Sequence, residues 1–112
     1  MGVPDIRPFS LRTEEKEGAT VVYLDGELDL AGVPKLQEAL HSVQHANVSQ
    51  IVVDLRGLTF IDSTGLGVLI AADIAGRDGH VGVSFVRGIE TVQRVFKVTA
   101  VEERLNWVDA RD

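Results

Sequence analysis

The sequence predicts an α/β protein built on a mixed sheet, with its elements in the order β-β-α-β-α-β-α-(β). Three observations point there. Near the N-terminus, two segments rich in alternating or β-branched residues flank a charged turn at Gly18, as in a hairpin. From Val33 onward, segments with helical spacing take turns with compact apolar runs, and such alternation implies parallel strands joined by crossover helices. No connection is long, so any site sits on a short strand-to-helix loop, the one following the strand at Ile51 to Leu55 first of all.

Residues 1–8 hold two of the three prolines and read as an irregular lead-in to one domain over 9–112. In "FSLRTEEKEGATVVYLDGELD", Phe9, Leu11 and Thr13 alternate with polar neighbours, and Val21 to Leu24 is β-branched and aromatic. These are two strands, and Gly26 ends the second or bends it. In "VPKLQEALHSVQHA", Val33, Leu36, Leu40 and Val43 recur at spacings of three, four and three, one face of a helix. Pro34 suits its first turn, where a missing N–H does no harm. "QIVVDLRGL" is apolar without alternation, the mark of a central strand covered on both faces. "STGLGVLIAADIAGRDG" reads as a second helix, opened by Asp62 and Ser63 and closed by Gly76 and Gly79. Gly65 and Gly67 weaken its first turn by about 1 kcal/mol each. "HVGVSFV" alternates Val81, Val83 and Phe85 as a strand. Ile89, Val92, Val95 and Phe96 fit a short third helix, and "RLNWV" fits a last edge strand.

The 112 residues suit one domain with a modest core, and a composition 45% hydrophobic and 25% charged argues against global disorder. Seventeen acidic residues against 11 basic ones leave a net charge of −6. Nucleic acid is disfavoured as a partner, because phosphate binding needs a basic patch, and a partner with a basic surface fits better. The absence of cysteine removes disulfides and thiolate metal sites and fits a reducing compartment. "MGVPDIRPFS" lacks the apolar run of a secretory signal, and Ile6 breaks the myristoylation pattern. The longest apolar stretch, Leu66 to Ala72, is too short to span a bilayer. The expectation is a cytoplasmic protein without a membrane partner.

Conventional chemistry finds little support. Glu38, His41 and His45 share a helix face, yet that face lies opposite Leu36, Leu40 and Val43 and offers no third strong ligand, so it reads as solvated rather than metal-binding. His80 has no obvious partner. Ser63 stands in "DSTGL", not in a G-x-S-x-G nucleophile elbow, and no P-loop occurs. Ile70 takes the place of the third glycine in a dinucleotide fingerprint. The chain therefore reads as a non-enzyme with no cofactor.

"FIDSTGLGVLIAA" raises a different question, since an acid and two hydroxyls interrupt an apolar run. Asp62 or Ser63 can cap the helix, worth about 1 kcal/mol. The apolar residues behind, Leu66 and Val68 to Ala72, run nearly all round the helix, so one side is left for neighbours or for a partner. A small polar cap, two glycines that keep the first turn low, and apolar residues behind them describe a docking surface. A hydroxyl there is a switch. Phosphorylation adds roughly −1.5 to −2 charge, which a helix N-terminus tolerates and an apolar interface does not.

"LDGELDLAGVPKLQEAL", "IVVDLRGLTFIDSTGLGVLIAA" and "VRGIETVQRVFKVTAVEERL" resemble, in order and spacing, the STAS-domain anti-sigma factor antagonists of bacteria. The resemblance runs from Phe9 to about Leu105. It implies a four- to five-stranded mixed sheet with helices mainly on one face. It also implies partner switching. The unmodified protein binds an anti-sigma factor that is also a serine kinase and so frees a sigma factor. The kinase then uses ATP to phosphorylate the serine matching Ser63, and a PP2C-like phosphatase resets the switch. By the same resemblance Asp62 is the acid beside the phosphoserine, and Thr64 and Gly65 complete the block. Asp29 matches the aspartate of the "GELD" loop, close to the phosphorylation loop and part of the partner surface that also takes in Leu66 and Gly67. Family members often carry a further helix after the last strand, and "NWVDARD" leaves it short or missing. The residues leave a homodimer open. The alternative within the family is a scaffold or accessory subunit of a stressosome-like or lipid-transport assembly, in which Ser63 is only a cap. Outside the family, a small nucleotide-binding protein would need basic residues that "GLGVLIAA" does not offer.

Overall fold

A computed structural model describes residues 7–110 of the chain. Strand β1 (Ser10–Lys16) turns into β2 (Ala19–Leu28) through Glu17 and Gly18, both at positive φ (52° and 82°). Two consecutive residues of that kind give a tight turn whose twist matches the flanking strands. After a 3-10 turn (Leu30–Gly32) come α1 (Val33–Gln44), β3 (Gln50–Ile61), α2 (Ser63–Asp78), β4 (Gly82–Val86) and α3 (Glu90–Val98), then a second 3-10 turn (Glu102–Arg104). The sheet order is β1-β2-β3-β4, with the first pair antiparallel and the other two parallel. This is the mixed α/β arrangement that the order of elements predicts, with four strands.

The helices share one face of the sheet. Val22 and Leu24 from β2, Ile51, Val53 and Leu55 from β3, and Phe85 from β4 meet Leu36, Leu40, Leu66, Leu69, Val92 and Phe96 in the main core. The opposite face holds a smaller cluster of Ala19, Val21, Val52 and Val86, with Val108 and Ala110 packed over it. Residues 51–55 are all buried, which explains the missing alternation. The cover on the second face is the closing segment of the chain and not a helix.

One local reading is settled and three change. Gly26 bends β2 and does not end it: its φ is +84°, and a Cβ there would stand 2.3 Å from the Pro8 carbonyl oxygen. β3 continues past Leu58 to Ile61, while α1 stops at Gln44, before the His45 and Ala46 of the sequence pattern. "RLNWV" does not form a strand. Trp107 makes one isolated parallel bridge to Phe85, held by Phe85 N–H on the Asn106 carbonyl (2.8 Å) and Val108 N–H on the Phe85 carbonyl (2.9 Å). The Trp107 ring turns inward against Phe85 and Phe96, its Nε1 donating to the Glu102 carbonyl (2.8 Å). Of the lead-in, Pro8 bridges Glu27 and residues 1–6 lie outside the described residues. Among the described residues no helix follows Trp107, and no helix is long and apolar enough to cross a membrane.

Candidate functional site

The parallel pairing of β2 and β3 brings two aspartates together. Leu28 and Ile61 are register partners at the carboxyl ends of their strands, and the next residue of each is an aspartate. Asp62 N–H donates to the Leu28 carbonyl (3.2 Å), locking the two ends side by side. Each aspartate then starts a helical turn. Asp29 is extended (φ −124°) and accepts the Ala31 N–H at 3.0 Å, opening the 3-10 turn before α1. Asp62 is also extended (φ −106°) and accepts the Gly65 N–H at 3.0 Å, opening α2. Carboxylates suit these places because a helix N-terminus presents unpaired N–H groups and partial positive charge.

Between the two residues that could cap α2, the geometry therefore chooses Asp62. Thr64 Oγ1 donates to the same Asp62 oxygen at 2.6 Å. Partial burial pushes the Asp62 carboxyl up, but the Thr64 hydroxyl and the N–H groups of Gly65, Thr64 and Leu30 together outweigh it. The carboxyl is held below the usual aspartate range. Ser63 is the first residue of α2 and exposed, and its hydroxyl makes no hydrogen bond among the described residues. Of the two hydroxyls, one is committed to the cap and one is available.

The glycines behind them differ in purpose. A Cβ on Gly65 would lie 2.7 Å from Leu28 Cγ, so glycine there lets α2 sit against the end of β2. A Cβ on Gly67 would meet nothing within 4 Å. Gly65 and Leu66 face the core, Leu66 being 4% exposed, and so shape the site from behind instead of forming its surface. Gly67 lies on the surface.

Ser63, Gly67, Ile70 and Ile74 follow one another at spacings of four, three and four, one row along the outer side of α2. Ile70 is half-buried and Ile74 is 48% exposed. From Ser63 to Ile74 the exposed positions are Ser63, Thr64, Gly67, Ala71 and Ile74, none of them charged. Leu30, 68% exposed, adjoins this row through its N–H contact with the Asp62 carboxylate. Sequence reasoning did not single out Leu30 or Ile74. The available signal was an apolar residue in the loop between Asp29 and Pro34, and a second isoleucine one turn beyond Ile70.

The other candidates stay apart. Glu38, His41 and His45 are all exposed, and the two imidazoles lie tilted against each other with ring centroids 4.1 Å apart. Among the described residues no group of three potential metal ligands converges.

Known proteins share the sequence pattern and the fold. A family model described as "Mlab, STAS domain" matches residues 11–107. The anti-sigma-B factor antagonist of Staphylococcus aureus is 25% identical over 98 residues, spanning 88% of this chain and 91% of that protein. The crystal structure of an anti-sigma factor antagonist from Mycobacterium paratuberculosis superposes with a TM-score of 0.83 at 24% identity, covering 98% of this chain and 92% of that one. The Bacillus cell fate determinant SpoIIAA in its phosphorylated form superposes with a TM-score of 0.70 at 20% identity, covering 90% and 91%. With nearly the whole described fold matched by the family model, the chain belongs to the STAS domain family.

Proposed function

We propose that the chain is an anti-sigma factor antagonist switched by phosphorylation of Ser63. In this reading the start and outer row of α2, with Asp29, Asp62, Ser63, Thr64 and Gly67 around it, dock onto an anti-sigma factor that carries serine kinase activity, and a sigma factor is released. Transfer of a phosphoryl group from ATP to Ser63 Oγ ends the docking, and a PP2C-like phosphatase reverses it, all in the cytoplasm. The observation that carries the reading is the position of Ser63: a hydroxyl with no hydrogen bond among the described residues, at the head of an uncharged, partly apolar helix face. Asp62 supplies the cap, so a change at Ser63 leaves the helix start intact. Support also comes from the Staphylococcus relative, which is named for antagonism of an anti-sigma factor, and from SpoIIAA, which has a phosphorylated form.

The energetics favour a switch over an unfolding event. A phosphate at the first helical position faces free N–H groups and the positive end of the helix dipole. Against an apolar partner surface the same dianion loses its water without compensation, at several kcal/mol. Each ~1.4 kcal/mol is tenfold in affinity.

Incubation with the cognate kinase and ATP, followed by peptide mapping, is expected to place the label on Ser63. Ser63→Ala keeps anti-sigma binding and takes no label. Ser63→Asp loses binding while its stability stays within about 1 kcal/mol of wild type, the size of one cap. Label elsewhere with Ser63 unmodified, or equal binding by both variants, sinks the reading. The family resemblance leaves one other reading, a STAS accessory or scaffold subunit of a lipid-transport or stressosome-like assembly. Under that reading Ser63→Asp leaves assembly unchanged, and a pull-down with Ser63→Ala recovers transport or scaffold subunits without a kinase.

A further inference from the structure

The two edges of the sheet are treated differently. At β4 the Trp107 bridge occupies the outer backbone groups around Phe85. At the other edge, β1 pairs only with β2 among the described residues, so its outer backbone groups face away from the sheet over seven residues. A strand of that length at an open edge is a template for another strand, and proteins usually block it with a bulge, a proline or a cover. Among the described residues β1 has none of these. What it has is charge, in a particular order.

We propose that β1 is a self-association edge, and that two copies of this chain join there by antiparallel pairing centred on Thr13 to give one continuous eight-stranded sheet. A two-fold axis perpendicular to the sheet keeps each face on its own side, so only residues of like orientation can sit opposite each other. Centring on Thr13 pairs all seven residues of the strand: Ser10 with Lys16, Leu11 with Glu15, Arg12 with Glu14, and Thr13 with its own copy. Arg12 and Glu14 already form an ion pair along the strand, on the face away from the helices. Across the axis the two pairs close into a square of alternating charge. The Arg12 guanidinium lies 4.0 Å from the centroid of the Tyr23 ring, which holds it over that face.

The neighbouring registers are disfavoured. Centring on Arg12 sets Arg12 against Arg12. Centring on Glu14 sets Glu14 against Glu14 and Arg12 against Lys16. Both shorten the overlap, and like charges directly opposite destabilise a pair of strands. The full-length register is thus also the charge-complementary one. A charged edge normally repels copies of itself, and here one register escapes that repulsion.

Sedimentation equilibrium over rising concentration tests this with the whole chain. The wild type is expected to approach twice its 12.2 kDa mass, with association weakening as salt is raised. Arg12→Glu places acid opposite acid and is expected to weaken association by about tenfold or more. The exchange Arg12→Glu with Glu14→Arg restores the alternation and restores the dimer. Circular dichroism of each variant shows whether it is folded, and the charge exchange keeps the test decisive if Arg12→Glu alone misfolds. A wild type that stays at 12.2 kDa throughout, an Arg12→Glu variant that associates as well as wild type, or a folded charge-exchange variant that stays monomeric overturns the proposal.

Discussion

Asp62 is where one side chain does most for the site. Its carboxylate satisfies the Gly65 N–H and fixes the Thr64 hydroxyl, so removing it unties the first turn of α2. Asp62→Ala is expected to lower stability by about 1 kcal/mol, read from the urea midpoint. The effect depends on pH in a definite direction. The folded-state carboxyl titrates below its unfolded value, so the stabilisation is complete above the ordinary aspartate range and is lost as pH falls through the depressed value. Wild type and Asp62→Ala should therefore differ at neutral pH and converge in acid. A gap that persists or widens in acid contradicts the assignment of the cap. The sequence left the cap open between Asp62 and Ser63, because both residue types fill that role. Only the backbone angles and the bond to Gly65 separate them, and neither can be seen in a string of letters.

At the scale of one element, α2 separates packing from docking through its two glycines. Gly65→Ala forces a methyl group against Leu28 and is expected to destabilise by about 1–3 kcal/mol. Gly67→Ala meets open space and is expected to stabilise by up to about 1 kcal/mol, since alanine is the better helix former. Thermal melts of the two variants should move in opposite directions. If the outer row of α2 docks the anti-sigma factor, Gly67→Leu stays folded and loses that partner. Composition treats these glycines alike, and their difference arises from Leu28, a residue 37 positions earlier that the sheet register brings underneath. The helix itself was legible, as were α1, α3 and the hairpin, because their periodicities are local. The end of β3 was harder to read. "TFI" carries no clear alternation, and its pairing with Glu27 and Leu28 comes from the neighbouring strand.

For the whole molecule, the closing segment acts as a strap. Trp107, the one tryptophan, rests against Phe85 and Phe96 and lies under the Arg87 guanidinium, 4.8 Å from the ring centroid. Trp107→Ala should destabilise by about 3 kcal/mol, the lower end for such truncations because the ring is only half-buried. Guanidinium unfolding followed by circular dichroism measures it, and a loss under 1 kcal/mol would show that the strap is dispensable. "RLNWV" looked like a strand because Arg104 and Asn106 alternate with Leu105 and Trp107, yet Trp107 makes only one bridge while its ring packs against Phe85 and Phe96. A last consequence concerns β3, which needs two more residues than β2 to cover the same span, inserted at two irregularities, between the partners of Tyr23 and Asp25 and of Gly26 and Glu27. Those two residues are what make Ile61 finish level with Leu28. Delete one, and Asp62 slides past Asp29 while the side chains beyond the deletion change faces. The alignment of the site is thus a matter of contour length. Chimeras grafting this loop between relatives have to preserve the number of residues in β3.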